Sequence, residues 1–208
     1  MQLADEFTGK PILASETAYR GMIWDVRRDR VDLGGSVVTR EYVEHPGAVA
    51  IVALRTAGSR DEIVMIRQYR HAVGGYLWEV PAGLLDVPGE PPQQAAAREL
   101  AEEVDLAAAS WHVLVDAIAS PGSFPENLRI FLARDLRALA IAHDRRDEEA
   151  DMEVAWVSLD DAYAGVLAGR LHNPGAVMGI MAAWGARAAG WTTLRAVDSA
   201  WPAHPAYR

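Results

Sequence analysis

The stretch PAGLLDVPGEPPQQAAARELAEEVDL, residues 81–106, places one arginine and four glutamates on an otherwise alanine-rich segment. A helix is predicted over about residues 91–107, because the two prolines at its start are tolerated in a first helical turn. Residues three and four positions apart share one helix face, so Glu99, Glu102 and Glu103 converge within about one turn. Like charges at this spacing repel one another, so the sequence should also supply a compensating group.

Arg98 is that group, because it precedes Glu102 by four residues and can pair with it. Glu99 and Glu103 then remain as the two closely placed acids. Two or three carboxylates at helical spacing suit Mg²⁺ or Mn²⁺, hard cations that prefer oxygen ligands and share them with substrate phosphates. The spacing alone leaves a second interpretation open, in which the acids form a solvated helix face with ion pairs.

The same stretch resembles the Nudix box, G-x5-E-x7-R-E-U-x-E-E-x-G-U, in which U is apolar. The R-E-U-x-E-E core and the seven residues before it match at every specified position. Two features differ: six residues rather than five separate Gly83 from Glu90, and Asp105 replaces the second glycine. The loop should absorb the insertion, and aspartate can adopt a left-handed conformation at a cost of about 1 kcal/mol. Neither change removes a metal ligand.

The resemblance implies the Nudix fold, an α/β (α+β) arrangement in which a mixed β-sheet is sandwiched between helices. It implies hydrolysis of a nucleoside diphosphate linked to another group, with Mg²⁺ (or Mn²⁺) as cofactor. Arg98 would orient the catalytic carboxylates, and Glu90 would support them. The implied metal site consists of the Ala82 carbonyl and the Glu99 and Glu103 carboxylates, with Glu102 close to the metal.

The rest of the chain predicts strands around this helix and helices at the end. Two strands flank a Gly-Gly turn within residues 19–46. Further strands are predicted at 48–54, 62–71, 76–83, 111–120, 128–136 and 152–159, with helices at 160–170 and 175–190. We therefore predict an N-terminal β-hairpin subdomain for dimerisation over 1–46, a Nudix hydrolase domain over 47–195, and a C-terminal tail over 196–208.

Four segments outside the box resemble the bacterial ADP-ribose pyrophosphatases of this family, in the expected order. They are EHPGAVAIVAL, VMIRQYRHAVGGYLWEVPAGLLD, ASPGSFPENLRIFLA and EEADMEVAWVSL. The resemblance covers most of residues 20–180 and is closest to the actinobacterial form. It implies hydrolysis of ADP-ribose to AMP and ribose 5-phosphate by a homodimer whose subunits exchange residues 1–46.

This resemblance also implies substrate-binding residues, namely Arg27, Arg28, Arg70, Trp78, Glu79 and Glu126, the last in the PGSFPEN loop. Arg70 is the best candidate for the diphosphate, since guanidinium forms bidentate pairs with phosphate oxygens. Arg27 or Arg28 of the partner subunit would reach the nucleotide, and Glu79 would read a polar edge of the adenine or ribose. Taken singly, Trp78 is also compatible with a core position.

The acidic loop DRRDEEAD, residues 144–151, is the candidate source of the general base. Such a loop is often only a solvated connection. The Nudix resemblance favours a catalytic role, because the family often places its base in a loop at this point of the chain. Glu149 is the favoured residue and Glu148 the alternative, since a carboxylate near the metal would accept a proton from the attacking water.

Composition limits the other classes of function. The 208 residues carry a formal charge of −9, so nucleic acid is not an expected partner. Cysteine is absent, which excludes a thiol nucleophile and a cysteine-ligated metal. No signal peptide or apolar membrane-spanning run is seen, so we expect a cytoplasmic protein without a membrane partner.

Two alternatives remain open from the sequence. The chain could hydrolyse another nucleoside diphosphate derivative, such as a nucleotide sugar or NADH, because the box does not report substrate choice. It could also be a Nudix module that binds a ligand without hydrolysing it. The retention of all four box glutamates favours the enzyme over the binding module.

Overall fold

The computed structural model describes residues 3–141, 143 and 152–207, so the two candidate bases, Glu148 and Glu149, lie outside the described residues. The chain divides into two compact units. The first comprises Met1–Gly47, Ile118–Asn127 and Ala200–Arg208, and the second comprises Ala48–Ala117 and Leu128–Ser199.

The first unit contains a three-stranded antiparallel sheet in the order β1-β2-β3. Its strands are β1 (Ile12–Arg20), β2 (Asp25–Asp32) and β3 (Val37–Val43). The last two correspond to the two strands predicted around the Gly-Gly turn. The first was not predicted, because nearly all of its side chains are exposed and its sequence therefore lacks the alternation of a half-buried strand.

The second unit is built on a mixed sheet, which confirms the predicted α/β (α+β) class. Its central order is β10-β5-β4-β9-β8, with β6 added to β5 and β7 added to β4. β4 is parallel to β9 and antiparallel to β5. The strands are β4 (Ala48–Ala57), β5 (Arg60–Arg70), β6 (Gly75–Glu79), β7 (Ala82–Leu84), β8 (Leu106–Ile118), β9 (Asn127–Ala138) and β10 (Glu153–Ser158). The helices are α1 (Pro92–Val104), α2 (Leu159–Leu167) and α3 (Pro174–Ala188).

Helices cover both faces of this sheet, as the resemblance implied. Alternate residues of β4 point to opposite faces and join two different hydrophobic clusters. Val52 belongs to the cluster that includes Ile180 of α3, whereas Ile51 belongs to the cluster that includes Leu100 of α1. Burial on both faces explains why the start of β4 is a continuous apolar run rather than an alternating one.

Two local features set the geometry around α1. The strand predicted over 76–83 is divided into β6 and β7 at Pro81, whose carbonyl accepts a hydrogen bond from the Ile51 amide at 2.8 Å. α1 ends three residues earlier than predicted, because Asp105 adopts φ 55°, ψ 36° and cannot continue the helix.

In the described part of the chain, none of the helices has the length and apolar character needed to cross a membrane.

Candidate active site

The site begins where β7 lies against α1. β7 pairs with β4 in the sheet, with Val49 opposite Gly83, so the backbone of this short strand is fixed. A Cβ atom on Gly83 would collide with the carboxylate of Glu99. The first glycine of the box therefore allows the metal-ligand candidate on α1 to lie directly against the strand.

Glu103 lies one helical turn beyond Glu99 and is 6% exposed. Its Oε2 accepts a hydrogen bond of 2.9 Å from the backbone amide of Ala82. The strand thus contacts both carboxylates, one through the gap left by Gly83 and the other through this amide. The structure therefore places the Glu99 and Glu103 carboxylates beside the backbone of Ala82 and Gly83, the residues to which the resemblance assigns the metal site.

Arg98 connects the remaining acids of the box. Its Nε and Nη2 donate to the two carboxylate oxygens of Glu90 at 3.2 and 3.0 Å. Its Nη1 donates to Glu99 at 2.6 Å and to Glu102 at 3.2 Å. The pKa of Arg98 is raised, mainly by the hydrogen bonds to Glu90 and further by Glu99, although partial burial opposes the shift. One permanently charged guanidinium therefore holds three carboxylates.

The donors beside Gly83 have the chemistry of a site for Mg²⁺ or Mn²⁺. The Glu99 and Glu103 carboxylates and the Ala82 carbonyl are all oxygen donors, which these cations prefer. Within residues 3–141, 143 and 152–207, no three His, Asp or Glu side chains are arranged to hold a metal by themselves. The donor set beside Gly83 instead combines two side chains with a backbone carbonyl, and its chemistry fits the cation.

Substitution of Gly83 by alanine tests this close approach. The added Cβ would displace the Glu99 carboxylate, and a displacement of about 1 Å at a catalytic group can reduce the rate by at least roughly tenfold. We expect that loss in kcat for the nucleoside diphosphate substrate that the resemblance implies, measured by product release. Gly185→Ala is the matched control, because a Cβ on Gly185 in α3 meets no atom within 4 Å. Full activity of Gly83→Ala would contradict the assignment.

Arg70 is the last residue of β5 and Glu79 the last residue of β6, and their side chains form a bidentate pair. Nε and Nη2 of Arg70 donate to the two oxygens of Glu79 at 2.9 and 2.8 Å. The Glu79 side chain is 2% exposed, whereas the Arg70 side chain is 42% exposed. The expectation that Glu79 reads the adenine or ribose finds no geometric support, because its buried carboxylate is directed at Arg70. Its position suits a residue that orients the arginine.

Trp78 lies on the other face of the sheet from the α1 carboxylates. It packs on the hydrophobic cluster formed with α2 and α3, and it lines a cavity of about 380 Å³ together with Met65 and Ala162. Its neighbour Glu79 is paired with Ile66, which belongs to the cluster on the α1 face. The structure therefore does not bring Trp78 together with the other candidate residues of this unit.

Arg27 and Arg28, on β2 of the first unit, have different surroundings. Arg27 donates to the hydroxyls of Ser15 at 2.6 Å and Thr17 at 3.0 Å. Arg28 instead pairs with two carboxylates, those of Glu16 and Glu41, at 3.0 and 2.6 Å. Hydrogen bonds to Glu41 first and Glu16 second raise the pKa of Arg28. Nε of Arg27 also lies 3.7 Å from Oε1 of Glu44. Arg27 is the better anion-binding candidate, because two neutral hydroxyls orient it and its carboxylate neighbour is more distant than those of Arg28. Neither hydroxyl was predicted as a partner, since β1 was not predicted.

Glu126 lies near His45 in the same unit, with Oε1 3.9 Å from Nε2 of the histidine. The His45 ring stacks on Trp24 with centroids 4.9 Å apart. Burial lowers the pKa of His45, and the charge of Glu126 opposes this shift. The PGSFPEN loop also lines a cavity of about 480 Å³, which includes Phe124 and Tyr42. The first unit thus contains a concave surface built around this loop.

Comparison with known proteins decides the family. The NUDIX domain model matches residues 44–176. The chain belongs to the NUDIX family. An ADP-ribose pyrophosphatase of Mycobacterium tuberculosis (strain ATCC 25618 / H37Rv) is 46% identical to this NUDIX chain over 194 residues, which are 93% of the chain and 91% of that protein.

Two further matches support the assignment. An ADP-ribose pyrophosphatase of Bacillus subtilis (strain 168) is 36% identical over 151 residues, which are 72% of the NUDIX chain and 79% of that protein. The crystal structure of an ADP compounds hydrolase has a TM-score of 0.72 and 21% identity, and the match covers 90% of this chain and 99% of that one. The predicted family and fold are therefore confirmed.

Proposed function

We propose that this NUDIX chain hydrolyses the diphosphate bond of ADP-ribose, with release of AMP and ribose 5-phosphate. The observation that carries the proposal is the placement of Glu99 and Glu103 against Ala82 and Gly83, with Arg98 holding the neighbouring acids. The relatives named ADP-ribose pyrophosphatase support the choice of substrate, because they match most of the chain at 46% and 36% identity.

Each catalytic group has a defined task in this proposal. A divalent cation held by Glu99, Glu103 and the Ala82 carbonyl would supply Lewis acidity and positive charge against the diphosphate oxygens. Arg98 fixes the direction of the carboxylates. Glu149, with Glu148 as the alternative, accepts the proton of the water that attacks phosphorus.

Arg70 is proposed to bind the diphosphate, and Glu79 to position it. The bidentate pair leaves the arginine side chain 42% exposed while fixing the plane of its guanidinium. An arginine restrained in this way loses less conformational freedom when it binds a phosphate. Glu79 is thus a positioning residue that acts through Arg70.

Glu79→Gln should raise KM for ADP-ribose about tenfold and change kcat little, because loss of a charge-assisted hydrogen bond is worth about 1–2 kcal/mol. Steady-state kinetics measures the two constants separately. Glu62→Gln is the matched control, since Glu62 forms a similar pair with Arg55, at 2.8 Å, between β4 and β5. An unchanged KM in Glu79→Gln, or an equal rise of KM in the control, would contradict the assignment of Glu79 as the residue that positions Arg70.

We also propose that the chain is a homodimer in which the N-terminal strands contact the partner subunit. The support is a group of exposed apolar side chains close together in the sequence, namely Ile12, Leu13, Tyr19, Met22 and Ile23. Exposed apolar side chains favour association where they form a contiguous surface. In such a dimer, Arg27 of one subunit would bind the nucleotide held by the other.

Mixed dimers test this arrangement. We expect Arg27→Ala and Glu99→Gln homodimers to be impaired separately, and activity to return in part when the two variants are co-expressed and the heterodimer is purified. One of its two sites would then carry both native residues, as expected for a shared isologous arrangement. An isolated heterodimer without recovered activity, or a monomeric wild-type protein in light scattering, would contradict the proposal.

The activity itself is tested by incubating the purified protein with ADP-ribose in the presence of Mg²⁺, Mn²⁺ or EDTA. Chromatography should show equal amounts of AMP and ribose 5-phosphate with either cation and neither product with EDTA. Failure of a folded wild-type protein to produce AMP with either cation would contradict the proposed function.

A further inference from the structure

The C-terminal segment, residues 201–207, is a packed part of the first unit. Trp201 is 1% exposed and His204 is 6% exposed, so both side chains are buried. The rings of Trp201, His204 and Tyr207 contact one another, with centroids 4.6 to 5.8 Å apart. Three aromatic rings in contact hold this segment in a defined conformation.

Both ring nitrogens of His204 make hydrogen bonds, and together they define its tautomer. Nδ1 accepts from the backbone amide of Ala206 at 3.2 Å, so the proton of the neutral ring lies on Nε2. Nε2 then donates to the carbonyl of Pro46 at 2.9 Å. The imidazole therefore joins the C-terminal segment to the backbone that leads into β4, 158 residues away in the chain.

Gly47 allows the His204 ring to lie directly against this backbone. It adopts φ 93°, and a Cβ atom there would lie 2.5 Å from Nε2 of His204. The same Cβ would lie 3.3 Å from the carbonyl oxygen of Asn127, the residue that follows Glu126. Only glycine suits this conformation and this space, so the backbone at Gly47 lies between the C-terminal segment and the PGSFPEN loop.

His45 extends the connection from Gly47 to the side chain of Glu126. The Gly47 amide donates to Nδ1 of His45 at 3.1 Å, which places the proton of that neutral ring on Nε2. Nε2 is also the nitrogen that faces Glu126, at 3.9 Å from Oε1. The N–H dipole on this side of the ring attracts the carboxylate, so the Gly47 amide helps to set the position of Glu126.

We propose that His204 is a positioning residue that holds Glu126 in the place where it binds the substrate. It acts through the backbone of Pro46 and Gly47 and through the His45 imidazole. The inference rests on the proposed function, with Glu126 as one of its substrate-binding residues. A carboxylate accepts hydrogen bonds from hydroxyl or amino groups and repels a diphosphate. Loss of its position should therefore weaken substrate binding more than it slows the chemical step.

Two substitutions of His204 separate its hydrogen bond from its ring packing. His204→Phe keeps an aromatic ring beside Trp201 but cannot donate to Pro46, whereas His204→Gln keeps an N–H donor for that carbonyl. We expect KM for ADP-ribose to rise about fivefold in the phenylalanine variant with kcat within about twofold, the effect of losing one hydrogen bond to the substrate. The glutamine variant should keep KM within about twofold. His172→Phe is the matched control, since His172 is exposed between α2 and α3.

A double-mutant cycle distinguishes positioning from a general structural role. Glu126→Gln alone should raise KM about fivefold to tenfold, because it removes a charged hydrogen-bond acceptor. Addition of His204→Phe to Glu126→Gln should then raise KM less than about twofold, since a positioning residue has no effect once its target is lost. Two effects that multiply in the double variant would overturn the inference.

Hydrogen exchange at the Gly47 amide provides a readout that does not depend on activity. Its protection should fall in His204→Phe and persist in His204→Gln, at a temperature at which circular dichroism shows each variant folded. If the phenylalanine variant does not fold, His204→Asn gives the same test, because its shorter side chain can accept from Ala206 but does not reach Pro46. Unchanged protection in the folded variant that lacks the donor would overturn the inference.

The positioning role and the proposed function fail in different ways. A wild-type protein that does not hydrolyse ADP-ribose overturns both. An active wild-type protein whose Glu126→Gln variant keeps the wild-type KM overturns the positioning role while the proposed activity stands. An active wild-type protein in which His204→Phe leaves KM unchanged has the same consequence.

Discussion

Substitution of Glu99 or Glu103 by glutamine is expected to lower kcat for ADP-ribose by roughly a thousandfold, because charge stabilisation by a metal is worth several kcal/mol. Glutamine keeps the size of each side chain but removes the negative charge that holds a divalent cation. In Glu103→Gln the amide oxygen can still accept from the Ala82 amide, so the local fold should be retained. Rates of AMP release at saturating substrate measure the effect.

Glu102 provides the internal comparison for these variants. Its side chain is 40% exposed and contacts Arg98 at 3.2 Å, whereas the structure does not place it against β7. Glu102→Gln should therefore lose less activity than either of the other variants. Equal losses at all three positions would show that the total charge of the helix face matters more than the two proposed ligands. Near-normal activity of both Glu99→Gln and Glu103→Gln, with unchanged circular dichroism, would contradict the site.

Substitution of Arg98 by alanine is the second large effect. Three carboxylates would lose their shared counter-charge, so the free energy of unfolding should fall by about 2 kcal/mol. This loss is smaller than the loss expected on breaking a fully buried ion pair, because the Arg98 side chain is 31% exposed. The carboxylates would also lose their fixed directions, and kcat should fall roughly a hundredfold. Added Mg²⁺ should restore part of the stability, because a cation bound to the native site favours the folded state.

Denaturant titrations with and without Mg²⁺ measure this prediction. Arg28→Ala is the matched control, because Arg28 also holds two carboxylates but its side chain is 45% exposed. Exposed ion pairs contribute little to stability, so its loss should be much smaller and independent of Mg²⁺. An Arg98→Ala protein as stable and active as the wild type would show that the guanidinium does not organise the acids.

The helix of the box and the relations among its side chains could be predicted from the sequence. Helical periodicity is local, so the spacing of Glu99, Glu102 and Glu103 defines their common face before any tertiary contact is considered. The contact between Arg98 and Glu102 follows from the same spacing. The close approach of Glu99 to Gly83 could not be predicted from helical spacing, because it is a tertiary contact between α1 and β7. Only the box pattern indicated a role for this glycine.

The faces of the strands could not be predicted with the same certainty. Successive residues of a strand point to opposite faces, so the adjacent Trp78 and Glu79 cannot both face α1, and their sequence does not say which one does. The orientation follows from the register of β5 and β6, which is a property of strand pairing. The partners of Arg27 were missed for a related reason, because β1 lacks an apolar pattern and its pairing with β2 is visible only in the sheet.

The most direct test of the proposed activity is a competition among ADP-ribose, ADP-glucose and NADH at equal concentrations with Mg²⁺. The ratio of the initial rates at which the substrates disappear gives the ratio of their kcat/KM values. We expect ADP-ribose to be consumed fastest, and Glu103→Gln to slow its consumption roughly a thousandfold. Preferential hydrolysis of another substrate would keep the carboxylate site but contradict the proposed substrate, and no hydrolysis of any of the three would contradict both the site and the substrate.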